Sequence, residues 1–164
     1  MKACVFFGHR KGDYKSVESK INKVVMDLIE REEVTQFYSG GRGAFDWLCA
    51  RLVSKLKEKY PHIKLTRVLS YMPRKKEEYD LPYFDDSVYV LEKKVLPRFA
   101  IIETNKALVD KVDFVVSGVY RSFGGALQAV EYAKRKGKSV VDIYSLMLTE
   151  QPNANNQQTP HAPL

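Results

Sequence analysis

Three short β-prone runs in this chain stop at glycine. Residues 3–7 end at Gly8, residues 36–39 run into Gly40-Gly41, and the run from Phe114 through Val116 ends at Gly118. Each is followed by a segment whose apolar residues recur at helical spacing. Strands alternating with amphipathic helices leave few architectures open, and they predict an α/β fold with a mostly parallel sheet and helices on both faces. Ligands of such sheets bind outside the carboxyl ends of the strands, where all three glycine loops fall.

The helical segments follow from their periods. Between Tyr14 and Glu33 the apolar positions Val17, Ile21, Val24, Val25, Leu28 and Ile29 make one face, with Asp13 or Ser16 available as the cap. Phe45, Leu48, Cys49, Leu52, Val53 and Leu56 make a second face, which ends before Pro61. Residues 98–111 read as a third helix with Ile101, Leu108 and Val112 inward and Asn105 on the same face. Gly124 to Lys136 reads as a fourth, with the small residues Ala126, Ala129 and Ala133 beside Val130 and Gly137 at its end. Ile63 to Ser70, Ser87 to Leu91 and Val140 to Ile143 supply further strands. Residues 71–86 show neither period and read as an ordered loop rich in aromatic and charged residues. Residues 1–149 are expected to form a single domain, and the uncharged 150–164 stretch past Glu150 is expected to be a disordered tail.

A chain of 164 residues can bury a proper core, and 45% hydrophobic with 29% charged residues suits a globular protein. No apolar run approaches a membrane span and the N-terminus lacks a signal-peptide pattern, so the expected location is the cytoplasm, with no membrane partner. The two cysteines, Cys4 and Cys49, lie among apolar residues and read as buried thiols. The three histidines show no ligand spacing, so no metal and no bound cofactor is expected. The net charge of +7 suits solvated helix faces and also attracts phosphate.

The glycine loops match neither G-x-x-x-x-G-K-[ST] nor G-x-G-x-x-G after the first strand, which argues against a P-loop NTPase and an ordinary dinucleotide dehydrogenase. A strand that feeds a glycine turn opening a helix can still hold phosphate on its free N–H groups. Gly118 with Gly124, Gly125 and Ala126, Gly8 with His9 and Arg10, and Gly40, Gly41, Arg42 and Gly43 are therefore the candidate phosphate-binding residues. Arg10 and Arg42 strengthen two of these loops because a guanidinium grips phosphate through paired donors. His9 is read as binding rather than catalytic. Asp46 is either a first-turn acid favoured by the helix dipole or a carboxylate that accepts a sugar hydroxyl. Asn105 is either a structural tie or a ligand contact.

These segments together resemble the SLOG superfamily, named for the DprA/SMF and LOG proteins. Phe6-Phe7-Gly8-His9-Arg10 is similar to its F-T-G-H-R opening, and Ser39-Gly40-Gly41-Arg42-Gly43-Ala44-Phe45-Asp46 to its s-G-G-a-x-G-x-D loop. Residues 105–113 resemble its R-N-x-x-m-v-d-x-s-D helix end, and residues 124–133 its G-G-T-x-x-x-v-x-y-A segment. The resemblance runs from residue 4 to residue 143 and is nearest to the YpsA-like branch. It implies a Rossmann-like domain that binds nucleotides or nucleotide-derived ligands at these loops; a homodimer is implied at family level only. LOG members cleave cytokinin nucleotides with an Arg and a Glu, which makes Glu131 the candidate catalyst here. The chain departs from that pattern at Ser122-Phe123 in place of proline, Ala126 in place of Thr, Thr104 in place of Arg, and in the distance of Glu131 from the glycines. These departures count against hydrolysis and leave phosphate binding intact.

The expected function is binding of a nucleotide-type ligand related to ADP-ribose or NAD, as a sensor or sequestering protein, with Tyr71, Tyr79 and Tyr83 as a cover. The alternatives are a LOG-like phosphoribohydrolase acting on nucleoside 5′-monophosphates and, ranked last, DprA-like binding of single-stranded nucleic acid.

Overall fold

A computed structural model describes residues 1–72 and 82–145. The chain runs β1 (Lys2–Gly8), α1 (Glu18–Glu30), β2 (Val34–Ser39), α2 (Ala44–Leu56), β3 (Lys64–Leu69), β4 (Asp86–Tyr89), α3 (Ala100–Lys111), β5 (Phe114–Gly118), α4 (Gly125–Arg135) and β6 (Ser139–Asp142). The six strands form one sheet in the order β4-β3-β2-β1-β5-β6, and every neighbouring pair is parallel. This is the Rossmann-like α/β architecture that the alternation predicts.

Alternation along β1 divides the core. Cys4 and Phe6 face one side, under Ile21, Val25 and Leu28 of α1 and Phe45, Cys49 and Val53 of α2. Ala3, Val5 and Phe7 face the other, under Leu108 and Val109 of α3 and Ala129, Val130 and Ala133 of α4. Each side thus has its own apolar layer, and the small residues of α4 let that helix lie close to the strands. Cys4 and Cys49 are buried and free, and burial pushes both thiols up.

Three local expectations are corrected. α1 begins at Glu18 after a 3-10 turn over Lys15–Val17; Asp13 accepts the Lys15 N–H of that turn at 2.9 Å, and no side chain caps α1 itself. α3 is also entered through a 3-10 turn, Pro97–Phe99. Its buried positions are Ala100, Thr104, Leu108 and Val109, so Ile101 is not inward but 36% exposed. Tyr79, the expected tail at 150–164 and all but the start of a turn over 145–149 lie outside the described residues. Among the described residues, no helix is long and apolar enough to cross a membrane.

The strand order explains where a site forms. The chain moves outward from β1 to β4, then returns to the far side of β1 as β5. The loops after β1 and β5 consequently diverge from adjacent strands, and the crevice between them is the natural ligand position of an open parallel sheet.

Candidate ligand-binding cleft

The loops after β1 and β5 are bolted together before any ligand is considered. The hydroxyl of Tyr14 donates to the Gly118 carbonyl at 2.9 Å and accepts the His9 N–H at 2.7 Å. His9, 7% exposed, lays its ring edge-on to Tyr120, and its Nε2 accepts the N–H groups of Tyr120 and Arg121 at 3.0 and 3.1 Å. An imidazole nitrogen that accepts twice is unprotonated, so the neutral ring carries its proton on Nδ1. Burial and then the nearby Arg121 charge hold His9 below the usual histidine range. The Nε2 face of His9 therefore shapes the loop.

Glycine at the two strand ends has a packing cause. A Cβ on Gly8 or on Gly118 would fall within the ring of Phe45, which is fully buried between them. Gly8 lines the cleft as well, whereas Gly118 does not. Gly43 is needed twice over: its φ is +121°, and a Cβ there would lie 2.5 Å from Arg10 Cα. Gly41 also takes a positive φ, +62°.

The helices α2 and α4 start alike, each with a glycine at positive φ and no side-chain cap. Their first turns differ in what they meet. At α2 the Ala44 N–H donates to the Arg10 carbonyl at 2.8 Å and the Phe45 N–H to the His9 carbonyl at 3.5 Å. At α4, the N–H groups of Gly125 and Ala126 have no acceptor among the described residues. A Cβ added at Gly124 or Gly125 would meet nothing within 4 Å. The open helix start faces a cleft of about 440 Å³ whose lining includes Gly8, His9, Arg10, Gly40, Arg42, Asp46, Asn105, Arg121, Gly124, Gly125 and Ala126.

Two further cleft groups have unusual settings. Asp46 Oδ2 accepts the Arg42 N–H at 3.1 Å. Burial nevertheless pushes its carboxyl up to about 6, against the opposing pull of that bond and of the Arg42 and Arg10 charges. The Arg42 guanidinium lies 5.3 Å from the ring centre of Tyr71, which keeps it at the cleft edge. Glu131, in contrast, does not line this cleft; it lies on the exposed face of α4 in an adjoining depression with Gln128, Tyr132 and Arg135, and Asn105 and Gly125 border both. Gly41, Gly43 and Gly118 act behind the lining rather than in it.

Sequence reasoning missed the roles of Tyr14, Phe45 and Arg121 at the site. Arg121 follows the β5 glycine as Arg10 follows that of β1, which was a readable signal; its Nη1 donates to the Lys11 carbonyl at 2.7 Å. Tyr14 and Phe45 act on residues remote in sequence and gave no local sign.

The sequence matches no protein-family model and no curated protein sequence. Solved structures do resemble it. DNA processing protein A from Streptococcus pneumoniae superposes with a TM-score of 0.61 at 16% identity, over 91% of this chain and 56% of that one. The chain thus spans little more than half of that protein. DNA processing protein A from Helicobacter pylori, described with a single-stranded DNA binding mode, gives 0.57 at 11% identity over 90% of this chain and 72% of its own. The molybdenum cofactor carrier protein from Chlamydomonas reinhardtii gives 0.54 at 12% identity, over 86% and 75%. At these identities the shared feature is the fold alone.

Proposed function

We propose that the cleft binds a nucleotide or a nucleotide-derived ligand of the ADP-ribose or NAD kind, and that the protein senses or sequesters it. The observation that carries this reading is the start of α4. Among the described residues its first amides lack acceptors, its glycines leave the adjoining space empty, and Arg10, Arg42 and Arg121 line the same cleft. A phosphate there would accept from backbone N–H groups, gain from the helix dipole and meet guanidinium charge. Asp46 and Asn105 are then the groups for a ribose or base.

Hydrolysis of the glycosidic bond is the weaker reading, because Glu131 lines the adjoining depression rather than the cleft itself, where Asp46 is the carboxylate among the described residues. Binding of single-stranded DNA draws support from the likeness to DNA processing protein A and from the +7 charge. Calorimetry with nucleoside mono- and diphosphates, ADP-ribose, NAD and inorganic phosphate tests the main reading. Saturable binding that Arg42→Ala weakens is expected; no heat from any phosphate-bearing ligand would sink it. Free base released from a nucleotide would favour hydrolysis, and a steeply salt-dependent mobility shift of single-stranded DNA would favour the nucleic-acid reading.

A further inference from the structure

The cleft has a neighbour along the same edge of the sheet. A second depression, of about 550 Å³, opens at the carboxyl ends of β3 and β4. Arg42 and Ser70 line both, so the two spaces adjoin. The buried lining of the second is Leu69, Ser70 and Ala100, whereas Tyr71 and Tyr89 border it 42% and 40% exposed. A ligand arriving from solvent can therefore reach both rings.

The rings are also positioned. Tyr89 ends β4 and sits in register with Leu69 of β3. The Tyr71 hydroxyl donates to the Pro97 carbonyl at 2.8 Å, and the Arg42 guanidinium lies over the same ring. A ring held at two points has little freedom left to lose when something packs on it. A phosphate here would take the charge of Arg42 and gain nothing from two ring faces. An aliphatic group would gain from the rings and nothing from the guanidinium. A flat heterocyclic base uses both, because tyrosine rings and arginine planes alike stack on bases.

Distance then selects the kind of nucleotide. The open start of α4 follows β5, and three strand spacings, about 14 Å, separate the ends of β5 and β3. A single ribose joins phosphate to base in a mononucleotide, which falls short of that span. A pyrophosphate bridge adds the missing length.

Resting on the nucleotide reading above, we infer that the depression between Tyr71 and Tyr89 is the base subsite of the cleft, and that the ligand is a pyrophosphate-bridged nucleotide. Its phosphates lie between the start of α4 and Arg42, and its base packs against the two tyrosines. Arg42 stands where the two parts meet.

The test titrates the full chain calorimetrically with ADP-ribose, AMP and inorganic pyrophosphate, alongside Tyr89→Ala, Tyr89→Phe and Gly125→Ala. Wild type should bind ADP-ribose most tightly. Tyr89→Ala should weaken ADP-ribose by about 10-fold and leave pyrophosphate unchanged, whereas Tyr89→Phe, which keeps the ring, should retain most of the affinity. Gly125→Ala should weaken both ADP-ribose and pyrophosphate. AMP cannot touch both ends, so only one of Tyr89→Ala and Gly125→Ala should weaken it. An unaltered ADP-ribose affinity in Tyr89→Ala, an equal loss for pyrophosphate, or AMP weakened by both substitutions would each overturn the inference and leave the nucleotide reading standing. If wild type binds none of the probes, the nucleotide reading falls and takes this inference with it.

Discussion

Replacing Asp46 by asparagine should stabilise the protein, and the gain should depend on pH in a defined way. In the unfolded chain this carboxyl loses its proton near 3.8, whereas burial in the folded protein moves that point to about 6. Between those values the folded state holds a proton that the unfolded state has released, so this group's contribution to stability falls as pH rises through the interval. Above the folded value the cost is constant. At about 1.4 kcal/mol per pH unit, a rise from 3.8 to about 6 amounts to about 3 kcal/mol. Asparagine has the same outline and can still accept the Arg42 N–H through its amide oxygen, so Asp46→Asn removes the half-buried charge and little else. Urea denaturation of both proteins at about pH 4 and about pH 7.5 reads the difference. The two should be nearly equal in acid, with the variant up to about 3 kcal/mol more stable at the higher pH. His9 titrates in the opposite sense: its contribution is present above 6.5 and is lost as pH falls through its depressed folded value. Both proteins carry His9, so it cancels in the comparison. A variant less stable than wild type at about pH 7.5, or a gap that does not change with pH, would refute the reasoning.

Other substitutions separate structural roles from binding roles. His9→Phe should cost about 2 kcal/mol in chemical denaturation, because the Tyr120 and Arg121 N–H groups lose their acceptor; an equally stable variant would show that the bolt does not hold the loops. Gly118→Ala should cost about 3 kcal/mol by driving a methyl into the Phe45 ring, and Phe45→Val in the same chain should recover part of the loss. Additive losses would place the clash elsewhere. Gly125→Ala should leave the fold as stable or up to about 1 kcal/mol more so, since its Cβ meets nothing in the protein. It should also weaken phosphate binding, as measured by calorimetry, and unchanged affinity would move the anion away from the start of α4.

The architecture was legible because it depends on local periods. The spacing of Ile21, Val24, Val25, Leu28 and Ile29 marks the buried face of α1 without help from the rest of the chain, and the runs that became β1, β2 and β5 stop where glycine says they do. The meaning of each glycine was not local. Gly118 and Gly125 look alike in sequence, yet one clears space for a phenylalanine from another element and the other borders open volume. His9 is similar: its acceptor role is set by N–H groups 111 and 112 residues away. Ile101 misled because α3 buries the row Ala100, Thr104 and Leu108, one position round from the row through Ile101 and Asn105.

The unequal helix starts have a consequence for stoichiometry. The carbonyls of His9 and Arg10 act as a built-in occupant of the α2 terminus, filling with the protein's own oxygens the place an anion would take. Of two glycine-capped helices with the same entry geometry, one is permanently loaded and the other open. Inorganic phosphate should therefore titrate at one equivalent per chain in this cleft. On the reading proposed above, a diphosphate would not be shared between the two helix ends: both of its phosphoryl groups would crowd the start of α4, with the arginines as their counter-charge.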